Sequence, residues 1–201
     1  EDGVTPLEFA ITKENLEIIE LLLRSGARID NRNSKGDTPL IRAINTGKKD
    51  IVQLLLDYKV DVNLECEDGV TPLKYAIKRE NLEIIELLLR SRARINNRNS
   101  SKETPLTYAI GRERKNIVQL LLDQNVDVNF QGNNGMTPLE FAITKENLEI
   151  IELLLRSGAR IDNRNSKGDT PLIRAINTGK KDIVQLLLDY NVDVNLECED
   201  G

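Results

Sequence analysis

The chain has 201 residues, no histidine, no tryptophan, two cysteines and a formal net charge of −5. An acidic balance gives no global field to hold nucleic acid. Without histidine there is no Ser-His-Asp or Cys-His triad, no His-containing zinc site and no imidazole proton shuttle. Apolar runs such as Leu21-Leu22-Leu23 are broken by charge within a turn, so none reads as a membrane span, and no signal sequence is expected.

Thr-Pro-Leu opens at residues 5, 38, 71, 104, 137 and 170, a constant spacing of 33. A fixed period of that length predicts a stacked array of similar units and overrides the length-based expectation of one or two globular domains. The expected organisation is one repeat domain over 1–201, with units at about 1–33, 34–66, 67–99, 100–132, 133–165 and 166–198, and 199–201 opening a further one.

Within the first unit, Asp2-Gly3 is a tight-turn pair and Thr5 is an N-cap, with Pro6 at the first helical position, where a missing N–H costs nothing. A short helix through Leu7, Ala10 and Ile11 breaks near Lys13-Glu14. Asn15 caps a second helix that places Leu16, Ile19, Leu22 and Leu23 on one face and turns Glu17, Glu20 and Arg24 outward. Gly26 fits the left-handed residue that ends it. Ala27 and Ile29 tuck in, and the polar run 30–36 turns to the next unit. Such a unit cannot bury its apolar stripe alone, so its neighbours must cover it.

Gly3-x-Thr5-Pro6-Leu7, Ala10, Leu16-x-Ile18-Ile19-x-x-Leu22-Leu23 and Gly26-Ala27-x-Ile29-Asp30 resemble the ankyrin repeat, and the resemblance recurs six times over nearly the whole chain. It implies an all-α repeat solenoid of paired antiparallel helices, an L-shaped stack with β-hairpin fingers. It also implies a non-enzymatic protein-binding scaffold that needs no cofactor and uses the fingers and inner helix surface. The sequence departs from the family in several places. The family's histidine after Thr-Pro-Leu is replaced by Glu8, Ile41, Lys74, Thr107, Glu140 and Ile173, so its inter-repeat hydrogen bonds are lost or replaced. The helix-joining glycine survives only as Gly47 and Gly179, and the glycine after the second helix becomes Lys59, Arg92, Asn125 and Asn191. Lys and Arg there cost about 1 kcal/mol each, which predicts weaker second and third repeats.

A second period of 66 overlies the first. Residues 133–198 match 1–66 except at Glu1/Asn133, Asp2/Asn134, Val4/Met136 and Lys59/Asn191. Charge alternates with it, as in Arg24, Asp57, Arg90, Asp123, Arg156 and Asp189, which predicts ladders that hold register. Asn63, Asn96, Asn129 and Asn195 share one hairpin position and are expected to bond to backbone in the turn. Cys66 and Cys198, four repeats apart, should lie on the order of 35 Å from each other, too far for a disulfide. Free thiols fit an intracellular, cytoplasmic or nuclear setting. Since 199–201 repeat 1–3 in phase, exposed apolar flanks are also expected, with either further repeats of a longer chain or head-to-tail self-stacking to cover them.

Repeats three and four depart most from the common pattern. Lys74, Lys78, Arg79, Arg112 and Arg114 form a basic stretch there, and Lys102 replaces a finger glycine. With the finger residues Glu67, Asp68, Val70, Ser101 and Glu103, they make the candidate site for a protein partner, an acidic peptide or surface. Phe9, Tyr75, Tyr108 and Phe141 share one helical position, which points to packing between repeats. A structural spacer within a longer chain and an engineered array remain alternatives to a binding scaffold.

Overall fold

The structure is a computed structural model that describes residues 4–66, 69–98, 102–132 and 135–196. It is all-helical among them, with elements α1 (Pro6–Thr12), α2 (Leu16–Arg24), α3 (Pro39–Thr46), α4 (Lys49–Asp57), α5 (Pro72–Arg79), α6 (Leu82–Arg90), α7 (Pro105–Gly111), α8 (Lys115–Leu122), α9 (Pro138–Thr144), α10 (Leu148–Arg156), α11 (Pro171–Thr178) and α12 (Lys181–Asp189). Two compact units form, Glu1–Ser100 with α1 to α6 and Ser101–Gly201 with α7 to α12. Within the first, α1, α3 and α5 pack side by side, as do α2, α4 and α6, and each first helix packs on the second helix of its own repeat. The second unit repeats this arrangement with α7, α9 and α11 against α8, α10 and α12.

The Thr-Pro signal acts as its chemistry dictates. Thr5, Thr38, Thr71, Thr104, Thr137 and Thr170 are extended, and each hydroxyl accepts the amide three residues on, at 3.2 to 3.4 Å. Such a cap is worth roughly 1 kcal/mol, and proline at the next position loses no hydrogen bond. Second helices differ between odd and even repeats. Asn15, Asn81 and Asn147 cap α2, α6 and α10 through their side chains. Lys48, Arg114 and Lys180 precede α4, α8 and α12 without a side-chain cap bond.

Two left-handed residues terminate the helices of each repeat. The first helix ends at Glu14, Gly47, Glu80, Glu113, Glu146 or Gly179, with φ from 55° to 72°. The second ends at Gly26, Lys59, Arg92, Asn125, Gly158 or Asn191, with φ from 56° to 86°. Lys59 and Arg92 therefore hold the strained conformation that their place in the sequence predicts.

Fingers are closed more sparingly than hairpins. Among the described residues no strand forms, and one backbone bond spans each of four fingers, Asn33 N–H to Asp37 O at 3.0 Å, Cys66 to Val70 at 3.0 Å, Gly132 to Met136 at 2.9 Å and Asn165 to Asp169 at 3.1 Å, with a turn bond inside two of them, Gly36 N–H to Asn33 O at 2.9 Å and Gly168 N–H to Asn165 O at 3.0 Å. Leu40, Ile44, Leu55 and Leu88 centre the first unit's core, and Leu106, Leu139, Ile150 and Leu187 the second's. Cys66 is half-buried and its Sγ–H donates to the Val70 carbonyl at 3.2 Å, whereas Cys198 lies outside the described residues, and so does the expected separation of the two sulfurs. No helix of the described residues is long and apolar enough to cross a membrane.

Candidate partner-binding surface

The residue after Thr-Pro-Leu is an interior position. Glu8, Ile41, Lys74 and Glu140 are all buried there. Glu140 replaces the family's histidine with a tie of its own. Its Oε2 accepts from the Thr137 amide at 2.9 Å, and its Oε1 accepts from Asn165 Nδ2, at the end of its own repeat, at 3.1 Å. Arg174, of the next repeat, places Nε 3.8 Å from Oε1, an ion pair beyond hydrogen-bond distance. Burial pushes the Glu140 carboxyl up from its ordinary range, against the opposing pull of the Thr137 amide, Arg174 and Asn165. Glu8 makes the same cap bond, Thr5 N–H to Oε2 at 3.0 Å, while its buried Oε1 has no hydrogen-bond partner. Thr107 instead closes a capping box with Thr104, and Ile41 packs in the core.

This placement corrects one candidate. Lys74 does not belong to an exposed basic strip. It occupies the same interior register as Glu8 and Glu140 and is buried. Lys78, Arg79, Arg112 and Arg114 are exposed. They fall into two groups, one on α5 in the first unit and one around the α7–α8 junction in the second. Arg79 Nε donates to Asn45 Oδ1 of the preceding repeat at 2.9 Å, so part of its guanidinium already holds two repeats together. Val70 is half-buried, and its carbonyl takes the finger rung from Cys66. Lys102 is exposed at φ 54°, the conformation in which Gly36, Gly69, Gly135 and Gly168 appear in the other fingers. Glu103 is half-buried, and Glu67, Asp68 and Ser101 lie outside the described residues.

The aromatic and basic positions turn out to be one feature. Lys13 Nζ lies 5.4 Å from the centre of the Phe9 ring, Lys78 Nζ 5.9 Å from Tyr75, the Arg112 guanidinium 5.1 Å from Tyr108 and Lys145 Nζ 5.7 Å from Phe141. Each exposed pair of this kind is worth about 0.5 to 1 kcal/mol. The i, i+3 or i, i+4 spacing was the sequence signal for this pairing. Packing between repeats holds for Phe141, whose ring occupies the space a side chain on Gly111 would need, 3.2 Å from the position of its Cβ. Phe9, by contrast, is mostly exposed.

Among the described residues, the alternating series from Arg24 to Asp189 pairs within its own helices rather than from repeat to repeat as a charge ladder. Arg24, Arg90 and Arg156 pair with Glu20, Glu86 and Glu152 one turn back on their own helices, at 2.8, 3.7 and 2.5 Å. Asp57, Asp123 and Asp189 accept from Gln53, Gln119 and Gln185 in the same way. Ion pairs between repeats use other residues: Lys48–Glu14 at 3.4 Å, Lys49–Glu83 at 3.8 Å, Lys115–Glu149 at 3.1 Å and Lys180–Glu146 at 3.4 Å. The hairpin asparagines do bond to backbone, across a repeat boundary. Asn63 Oδ1 accepts the Arg94 amide and Asn129 Oδ1 the Arg160 amide, each at 2.7 Å.

These features agree with comparisons to known proteins. Residues 7–99 and 91–165 match a family model of three ankyrin repeats, and residues 167–199 match the single ankyrin repeat. No match is found among curated proteins. The crystal structure of the ankyrin repeat domain of Bcl-3, described as a unique member of the IkappaB protein family, is 28% identical and superposes with a TM-score of 0.91, covering 100% of this chain and 92% of that one. The human ASB11 ankyrin repeat domain, at 24% identity, shares the fold with a TM-score of 0.76 over 98% of this chain and 88% of its own. The chain belongs to the ankyrin repeat family, an all-helical repeat solenoid class whose members are generally protein–protein interaction modules and not enzymes.

Proposed function

We propose that this chain is a non-catalytic scaffold in an intracellular setting, cytoplasmic or nuclear, that binds an acidic peptide or acidic protein surface through its first helices and the adjoining fingers. The observation that carries this reading is the pairing of exposed cations with rings on α5 and α7, Lys78 over Tyr75 and Arg112 over Tyr108. A cation already seated on a ring gives up less side-chain freedom when a carboxylate arrives, which lowers the ordering cost of binding. The ring edge beside it offers apolar contact to the partner's backbone or side chains. Arg79 and Arg114 add charge, Lys102 and Glu103 flank the second group at a finger, and Val70 lies at the finger that leads into α5.

Selection of phage-displayed random peptides on the chain tests this reading. Enrichment of Asp- and Glu-rich sequences is expected. Lys78→Gln with Arg112→Gln should weaken the selected peptides by roughly tenfold, about 1.4 kcal/mol. Selected peptides without acidic enrichment, or binding indifferent to both substitutions, overturn the acidic-partner reading.

A further inference from the structure

Repeats two and three meet at a cavity of about 340 Å³ in the first unit, and its lining comes from α4, α6 and the segments that follow them. The junction is internal to the array, with repeat one before it and repeat four after it in sequence. The floor is apolar, formed by the buried Leu56, Val60 and Val62. The rim is cationic, formed by the exposed Lys59, Arg90 and Arg92. Among the described residues no carboxylate lines it. Arg90 pairs with Glu86 one turn back at 3.7 Å, and neither Lys59 nor Arg92 has an ion pair with a described residue. Asp57 and Asp61, the acidic residues nearest Lys59 in sequence, accept from Gln53 Nε2 at 2.8 Å and from the Asn63 amide at 2.9 Å.

Cations at helix C-termini offset the helix dipole, but that does not account for this set. The other four second helices end on Gly26, Asn125, Gly158 and Asn191 at the place of Lys59 and Arg92. The matching junction of the second unit, between repeats four and five, has Asn125, Arg156 and Gly158, a single cation. Lys59 and Arg92 also hold φ of 64° and 66°, a conformation that opposes long side chains. Strain of this kind gathers at sites where the side chain has a use. Their backbones are fixed. The Lys59 and Arg92 amides donate to the Leu56 and Leu89 carbonyls at 2.9 and 3.0 Å, and Asn63 Nδ2 donates to the Arg92 carbonyl at 3.5 Å.

We infer that this cavity is a second binding site, for a phosphorylated segment of a partner protein. The phosphate lies among Lys59, Arg90 and Arg92, and an adjoining apolar side chain of the segment covers Leu56, Val60 and Val62. A phosphate monoester carries a charge of about −2 and three acceptor oxygens at neutral pH, which suits this set of cations better than a single carboxylate does. A guanidinium fork pairs with phosphate through two parallel bonds. Free phosphate would leave the floor uncovered, whereas a peptide supplies both groups. The site stands apart from the acidic-partner surface, which uses α5 and α7.

A peptide library with a central phosphoserine and random flanks, passed over the immobilised 201-residue chain, tests this, with the unphosphorylated library as control. The phosphorylated library should be retained, with Leu, Ile, Val or Phe enriched beside the phosphoserine. In fluorescence anisotropy, Lys59→Asn/Arg92→Asn should weaken the best selected phosphopeptide by roughly tenfold. These substitutions place at the rim the residue that the chain already carries at Asn125 and Asn191, and circular dichroism verifies folding. Arg90→Gln leaves both left-handed positions untouched and should weaken binding severalfold. Lys78→Gln/Arg112→Gln should bind as wild type does, so failure of the acidic-partner reading is read separately. Retention no greater than that of the unphosphorylated library overturns the inference. So does binding indifferent to the rim substitutions, or binding lost in Lys78→Gln/Arg112→Gln. Competition by inorganic phosphate at the peptide's own concentration also overturns it, because the apolar floor would then add nothing.

Discussion

Asn129 reaches across a repeat boundary to the backbone of Arg160, accepting its amide at 2.7 Å while donating to the Gly158 carbonyl at 3.2 Å. Asn63 does the same with Arg94 and Arg92, at 2.7 and 3.5 Å. A side-chain amide is suited to this, because it satisfies one backbone donor and one backbone acceptor of the neighbouring repeat together. Asn129→Ala removes both bonds and leaves two backbone groups to water, so it should cost about 1 to 2 kcal/mol in urea unfolding. Asn129→Asp keeps the acceptor alone and should fall between the two. If alanine and aspartate behave alike, the amide's donor contributes nothing.

The left-handed residues give a second test with the opposite sign. Lys59 and Arg92 sit at φ 64° and 66°, where Asn125 and Asn191 occupy equivalent places at 56° and 58°. Asparagine tolerates this region because its short side chain bonds locally. Lys59→Asn and Arg92→Asn should each stabilise the chain by about 0.5 to 1 kcal/mol, read as a higher urea midpoint at constant slope. A lower midpoint for both would show that the longer side chains contribute contacts that outweigh the strain.

Much of this architecture was legible in the sequence. Thr-Pro-Leu located every first helix, because an N-cap hydroxyl and a proline without an N–H allow one local geometry. Asn15, Asn81 and Asn147 were equally readable as caps. The site was less legible, because burial depends on what a neighbouring repeat places opposite. Lys74 reads as a surface cation from its charge, yet its register is that of the buried Glu8 and Glu140. Arg24 reads as half of a ladder between repeats, yet Glu20 one turn back supplies its carboxylate. A hydrogen bond with Tyr58 of the next repeat, with Glu20 adding to it, raises the Arg24 guanidinium further above its ordinary value.

Gly135 marks where a finger cannot accept a side chain. Its φ is 68°, and a Cβ there would lie 2.9 Å from the backbone nitrogen of Ser166. Backbone cannot swing aside as a flexible side chain would. Gly135→Ala should therefore cost more than the strain of positive φ alone, about 2 to 3 kcal/mol. Gly26→Ala, with nothing within 4 Å of its Cβ, should cost only the strain, about 1 kcal/mol. Equal losses at the two positions, by thermal or urea unfolding, would mean that the second unit's fingers adjust freely.

The carboxyl of Glu140 makes the stability of the second unit depend on pH in an unusual direction. Groups facing it are the Thr137 amide and hydroxyl, Asn165 Nδ2 and Arg174, and Arg174 also pairs with Asp169 at 3.4 Å. Burial wins over these, and the folded-state pKa lies above the ordinary carboxyl value of roughly 4.3. The folded chain then holds this proton more tightly than the unfolded chain does. Its stabilising contribution is fully present below the unfolded pKa and is lost as pH rises through the folded one. Most paired carboxylates behave in the opposite way, so the effect is read against a control rather than from the wild-type curve. Glu140→Gln keeps the shape of the protonated acid and cannot ionise. The variant should be more stable than wild type at neutral pH, and the gap should close as pH falls toward 4. A constant gap, or one that widens in acid, would mean that Arg174 and the amides hold the carboxylate ionised in the folded state.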